Sequence, residues 1–335
     1  LNTAAVDSIL TNYTVTIDAA NDQSDLNATV KTIATTASEA GISVENATAM
    51  HQAYLAAIND TVADDGAEEA FEDALLNSAG TYTANEDTNL ALQVAPQTDT
   101  IGGSAVATRA MTGTVQGIVS NRMASLRSGD AFVTGMSAGN GMSANSGFIQ
   151  AFGSEGEQKN ITAAGATTFG FDTETSGLAI GFDGMTEDGS TIGLSASYST
   201  TDVDGKGTGK SKNSIDSYTV SVYADKATEI GYIEGSLTYG INDNTNSRIV
   251  NSAGLSRTYA GNYDSNQISL KFGGGVPNEV KDGTFVTPFA SATGTIISTD
   301  SYTETSTTAS DALRLTVAQD DVSSLVGTVG IKAHM

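Results

Sequence analysis

The sequence predicts a mainly β protein: an antiparallel transmembrane β-barrel, preceded by a helical segment and holding a helix inside it. Three observations carry this reading. From Phe148 onward apolar side chains recur at every second position, separated by Ser, Thr and Gly. No apolar run approaches the roughly 18 residues of a membrane helix, so a membrane crossing has to be made by strands. Between Asp99 and Asp130 there is no acidic residue, yet Arg109, Arg122 and Arg127 fall there, in a chain of formal net charge -24.

Composition sets the outer limits. At 335 residues, 39% of them apolar, the chain is long enough for one large domain or two modest ones and is not disordered throughout. The lack of cysteine excludes a disulfide framework, a thiol nucleophile and a cysteine metal site, and suits a protein that crosses an oxidising bacterial periplasm unfolded. Residues 1–100 carry 16 acidic side chains against one base, Lys31, which argues against nucleic acid as a partner.

Residues 1–100 read as an acidic, partly helical tether. A β-like run, Tyr13 to Ile17, comes first. Helical spacing is expected from Leu26 to about Asn77, in Ala-rich sequence broken at Asp65-Gly66, and a polar linker from Asn77 to Thr100. Asp64, Asp65, Glu68, Glu69, Glu72 and Asp73 lack the Asp-x-Asp-x-Asn-Gly loop and distal Glu of a calcium site, and read as a solvated helix face.

Residues 101–130 read as the helix in the pore. From Ser104 to Ser128, Ala107, Met111, Val115, Ile118, Met123 and Leu126 recur at steps of three to five, one face of a helix. At about 1.5 Å per residue it is roughly 36 Å long, enough to cross a hydrocarbon core of ~30 Å. Its arginines and its Ser, Thr, Gln and Asn forbid lipid contact, so it is expected to cross inside a polar lumen. The candidate pore-helix residues are Arg109, Met111, Val115, Arg122, Met123 and Arg127.

Residues 146–335 read as wall. Strands are expected at Phe148–Ser154, Leu178–Asp183, Ile192–Tyr198, Tyr218–Ala224, Ile233–Tyr239, Gln267–Phe272, Phe285–Ile297 and Leu325–Lys332, about eight in all. A soluble sandwich shows the same alternation. The small-residue face favours a wet lumen. So do connections that alternate between short turns (Glu187-Asp188-Gly189, Asp225-Lys226-Ala227) and long polar loops (Asp202 to Asn213, Asn242 to Asn262). Tyr198, Tyr223, Tyr232, Tyr239 and Phe272 are expected to form an aromatic girdle near strand ends. Asp183 and Glu234, with Asp225, fall in the inward set and are the candidate lumen acids that answer the arginines.

Other motifs read as structural. Gly205-Lys-Gly-Thr-Gly-Lys-Ser211 ends like a phosphate-binding loop, but Asp204 stands at its first glycine position and a strand follows where a helix is required, so it reads as a flexible basic loop tip. His51 and His334 are the only histidines, too few and too distant for a Ser-His-Asp triad. Glu187-Asp188 reads as turn chemistry. No catalytic residue, cofactor or metal is expected.

Taken in order, the segments Ile101–Asp130 with its Arg122-Met123 pair, Ser146–Gln158, and Gly170–Gly205 with the hairpin from Gly181-Phe-Asp-Gly184 to Tyr198 resemble the translocator region of a type V autotransporter. The Ala-rich acidic stretch from residue 45 to 77 resembles the region ahead of that family's pore helix, so the resemblance covers about residues 45–335. It implies a barrel of twelve strands threaded by one helix, inserted by the outer-membrane assembly machinery, which exports an N-terminal passenger to the cell surface. On this reading about eight of the twelve strands are present, the barrel is C-terminally truncated, and the sequence is an internal stretch of a longer one. Outer-membrane lipid, the assembly machinery and the passenger are the implied partners. Family members that cut themselves do so at an Asn-Asn pair; Gln116-Gly117-Ile118 stands there instead, so self-cleavage does not carry over. Rival expectations are a surface adhesin or structural protein with a soluble β domain, and a diffusion porin.

Overall fold

A computed structural model describes residues 11–18, 23–40, 92–128, 145–163, 166–252, 255–281, 283–307 and 313–334, with single positions between 44 and 55. Two strands, β1 (Thr11–Asp18) and β2 (Gln23–Val30), form a hairpin ahead of a short helix, α1 (Ile33–Ala40). Leu26, expected to open the helical region, thus lies in β2; helix begins only at Ile33. The β-branched and polar run around Leu26 pairs with the Tyr13–Ile17 strand, and that partner overrides local helix propensity. His51 is buried, hydrogen-bonded through Nε2 to Thr36 Oγ1 at 2.9 Å, and desolvation holds its pKa below the ordinary histidine value. The acidic cluster Asp64–Asp73 lies outside the described residues.

The long helix α2 spans Thr98–Ser128, 31 residues, or about 46 Å. It begins three residues before the expected segment 101–130, so Thr98 to Thr100 belong to it and not to a linker. Asp99 in its first turn and Arg127 in its last complement the helix dipole.

The wall is one antiparallel meander. Its long strands are β3 (Asn145–Gln158), β6 (Phe171–Met185), β7 (Ser190–Gly205), β8 (Lys212–Ala227), β9 (Tyr232–Ser252), β10 (Leu255–Gly275), β12 (Thr284–Thr299) and β15 (Val322–His334). Each pairs with the next in that order. The short β11 (Asn278–Lys281) continues the β10 edge along β12, and two small ribbons, β4 (Ile161–Ala163) with β5 (Ala166–Thr168) and β13 (Tyr302–Thr303) with β14 (Thr316–Val317), decorate the connections. The helix α2 touches β3, β6, β7, β8 and β9 and hydrogen-bonds β10. A sheet that meets one helix with six successive strands has to curl around it. Among the described residues β3 and β15 are each paired on one side only.

Burial is inverted relative to a soluble sheet. The cross-strand row Ile180, Ala196, Val220, Tyr239, Ile268 and Ile296 faces outward, and so does the row Phe182, Leu194, Val222, Leu237 and Leu270. Between them the row Gly181, Ser195, Ser221, Thr238, Ser269 and Thr295 faces inward and is buried. Phe182 is 71% exposed while Thr238 is 0% exposed, the reverse of what water would select. On β9 the apolar outward set runs from Ile233 to Ile241; at ~3.3 Å per residue and a tilt of about 40° this belt is roughly 20 Å tall, near the ~25 Å band of an outer-membrane barrel. Beyond it the outward residues turn acidic: Asp172 and Glu174, Asp202 and Asp204, Asp243, Asp264.

Three expectations are corrected. The stretches taken as long loops are mostly strand: β7 runs to Gly205, β8 starts at Lys212, and β9 and β10 extend to Ser252 and from Leu255. Outside the belt the outward positions are polar and only scattered inward ones, such as Val203 and Ile215, are apolar, so the period-two hydrophobic signal fades although pairing continues. The second short turn is at Thr228–Gly231, closed by a 2.7 Å backbone hydrogen bond, which leaves Asp225, Lys226 and Ala227 in β8. Tyr223 and Tyr232 are 2% and 8% exposed and point inward, sharing the parity of Ser221 and Glu234; only Tyr198, Tyr239 and Phe272 of the expected girdle face out, joined by Tyr218. The first turn is as expected: Gly189 takes φ 78°, open only to glycine without strain, and the Lys226 ammonium beside Asp188 holds its carboxyl below the usual range.

An inside-out wall has a direct consequence in lipid. Val222→Arg should lower the unfolding free energy in bilayers by about 2–4 kcal/mol, measured by denaturant titration; a change near zero would mean that this face meets water.

Candidate functional site

The lumen-facing side of α2 buries polar and apolar residues alike. Ala107, Met111, Val115, Ile118, Val119 and Met123 are buried, and so are Ser104, Thr108, Thr112, Gln116, Ser120 and Arg122. Ala107 packs with Phe171, Val203 and Ile215; Val119 and Met123 pack with Tyr223 and Phe148. The polar positions find partners on the wall: Thr112 Oγ1 donates to Gln267 Oε1 at 2.6 Å, Gln116 Nε2 to Ser269 Oγ at 3.1 Å, and Lys271 Nζ to Ser120 Oγ at 2.7 Å. Leu126 is only half-buried.

Near the C-terminal end of α2 the charges meet. Arg122 is forked onto Asp183, Nε to Oδ2 at 2.8 Å and Nη2 to Oδ1 at 3.0 Å, and Nη2 also donates to Ser146 Oγ at 2.5 Å. Ser146 Oγ and Tyr223 OH donate to the same carboxylate at 2.5 and 3.0 Å. Both charged side chains are buried, 6% and 1% exposed, a bidentate and fully donated geometry that offsets desolvation as few buried pairs do. Tyr223 reaches Asp183 because its ring lies over Gly193, where a Cβ would stand 2.1 Å from the ring. One turn on, Arg127 lies between Asp225 and Glu234, which face each other across β8 and β9. It donates to Asp225 Oδ2 and to Glu234 Oε2 at 3.3 Å, and its guanidinium stands 3.7 Å from the Tyr232 ring centre. The third arginine, Arg109, is half-buried and makes no ion pair among the described residues.

At the opposite end the connections fold over the start of α2. The glycine motif is not a free tip. Gly207 N donates to Asp99 Oδ2 at 2.9 Å and Ser211 Oγ to Asp99 Oδ1 at 3.0 Å. Arg248, 1% exposed, forks onto Glu304 at 2.7 Å through Nε and Nη2, and donates to the carbonyls of Gln93 at 2.9 Å and Leu313 at 2.5 Å. Sequence reasoning missed this pair. The even-numbered run Asn242, Asn244, Asn246, Arg248 continues the inward parity of Thr238 and would have placed Arg248 in the lumen; Glu304, in a connection, carries no such signal.

These contacts predict unequal costs for the arginines. Arg127→Ala leaves two buried carboxylates facing each other and should cost about 3–5 kcal/mol, with partial recovery in Glu234→Gln; Arg109→Ala should change stability by no more than ~0.5 kcal/mol. Thermal unfolding followed by heat-modified gel mobility reads both.

The family model of the autotransporter beta-domain matches residues 147–335, more than half of the chain. Among solved structures, the translocator domain of autotransporter NalP from Neisseria meningitidis is similar over 69% of this chain and 71% of that one, at 20% identity and a TM-score of 0.53. The beta domain of the Bordetella autotransporter BrkA is similar over 56% of this chain and 69% of that one, at 21% identity and a TM-score of 0.43. A search of curated proteins finds no match. An outward apolar belt, a polar lumen and a helix held in that lumen accord with the family match: the chain belongs to the autotransporter β-domain family of outer-membrane barrels.

Proposed function

We propose that the barrel anchors this chain in the outer membrane and exports an N-terminal passenger through its lumen, with α2 as the stretch left in the pore when export ends. The observation that carries the proposal is the direction and fixing of α2. Its C-terminal end is tied by Arg122 and Arg127 beside the turns at 186–189 and 228–231, and its N-terminal end lies against the connections at 206–211 and 300–321. A chain that enters at the end of the 186–189 and 228–231 turns and leaves at the other has that orientation. The outer-membrane assembly machinery is the proposed route of insertion. A soluble β domain is disfavoured by Phe182, Leu194, Val222 and Leu270, all more than half exposed or close to it. An open porin is disfavoured by a helix of 31 residues lying against the lumen face.

No Asn pair stands at Gln116–Ile118, so the passenger is proposed to remain covalently joined to the barrel. In planar bilayers the intact chain should pass little current, and deletion of residues 98–128 should raise conductance several-fold; equal conductance would point to a porin. A reporter fused ahead of residue 1 should be protease-accessible on intact cells and stay linked to the barrel on a denaturing gel. A reporter retained in the periplasm would refute export.

A further inference from the structure

Beyond the ion pairs near its C-terminal end, α2 is gripped a second time where it begins, and the grip is built for a peptide of particular chemistry. Asp99 is 5% exposed, and among the described residues its carboxylate takes neutral donors: the N–H groups of Gly207 and Thr100 and the hydroxyl of Ser211. The connection that supplies Gly207 and Ser211 lies close against the ends of the Asp99 and Gln97 side chains, which a side chain at its glycines would have to displace. A Cβ at Gly205 would lie 2.4 Å from Asp99 Oδ2, one at Gly207 2.9 Å from the same atom, and one at Gly209 2.5 Å from Gln97 Oε1. Lys210 is held at φ 42°, a conformation that a non-glycine residue keeps only under outside constraint. The phosphate-loop look of the motif is therefore turned to another anion: one of its amides, at Gly207, and the Ser211 hydroxyl receive a carboxylate.

On the other side Arg248 and Glu304 brace each other and present the guanidinium to the Gln93 carbonyl, while the Asn251 N–H donates to Gln93 Oε1 at 2.7 Å. Ile101 packs on the stacked rings of Tyr263 and Tyr302, whose centres are 4.7 Å apart.

We propose that these two jaws form a receptor for residues 93–101 of the same chain, which seals the outer mouth and fixes the position at which the exported chain comes to rest. The recognised ligand is a peptide with a carboxylate at a helix start and a free backbone carbonyl six residues before it. Asp99 is its positioning residue. When this segment arrives it bridges the glycine connection and the Arg248–Glu304 pair beside β13, so the mouth closes in one register and not at an arbitrary point of the passing chain. The proposal rests on the reading of α2 as a chain left in an export lumen.

The chain has no cysteine, so single reporters are clean. Val94→Cys and Val115→Cys, each at a site 1% exposed, are labelled with maleimide-polyethylene glycol in the full chain refolded into vesicles. Asp99→Asn should speed labelling at 94 by at least about tenfold, the loss of one charge-assisted contact; Gly207→Ala, whose methyl would push Asp99 Oδ2 off the amide, should do the same, and both should leave labelling at 115 unchanged. An unchanged rate at 94, or an equal rise at 115, would overturn the receptor. Because vesicles need no export, a chain that seals its mouth yet displays no passenger on cells overturns the export reading alone.

Discussion

A charged helix of membrane-spanning length is stable only inside a wall that hides it from hydrocarbon and answers its charge. Arg122 and Asp183 are where both conditions are met. The carboxylate receives a forked guanidinium, a serine and a tyrosine, and neither charge is left to water. Removing either partner would strand the other in a site almost closed to solvent. The rest of the fold serves this pairing. A glycine at position 193 lets Tyr223 lie flat, and Gly181 leaves room for the Phe148 ring. The meander brings Ser146, at the start of β3, beside Asp183 near the end of β6.

The wall divides its work by parity. Alternate residues face lipid and lumen, so one strand carries both an apolar row and a row of Ser, Thr and Gly. Small hydroxyls bond to each other across strands, as Ser221 does with Thr238 and Ser269 with Thr295, and leave the volume that α2 fills. Longer groups reach the helix from the wall, Gln267 for Thr112 and Lys271 for Ser120. Beyond the belt the strands continue with polar residues on the outward face, and there the inward set reaches Arg248 and the segment that leads into α2.

What the sequence shows and hides follows from that division. Within the belt the alternation is plain, and so is the parity that puts Asp183 and Glu234 opposite the arginines. Parity also argued against counting Tyr223 among the girdle residues, since Val222 and Ala224 flank it. Outside the belt the alternation of hydrophobicity disappears, and strands such as those ending at Gly205 and Ser252 look like loops. The Leu26 strand was hidden because it depends on a partner eleven residues earlier, Val15. Contacts such as Asp99 with Gly207 or Arg248 with Glu304 join segments far apart in the chain; no local pattern encodes them. The glycine motif was visible, and only the identity of its anion was not.

The coupling between Arg122 and Asp183 tests the account most directly. A double-mutant cycle with Arg122→Ala, Asp183→Ala and the pair, followed by denaturant unfolding in lipid, should give an interaction energy of about 2 kcal/mol or more. Two single losses that simply add would contradict it, because α2 would then stay in the lumen without that ion pair.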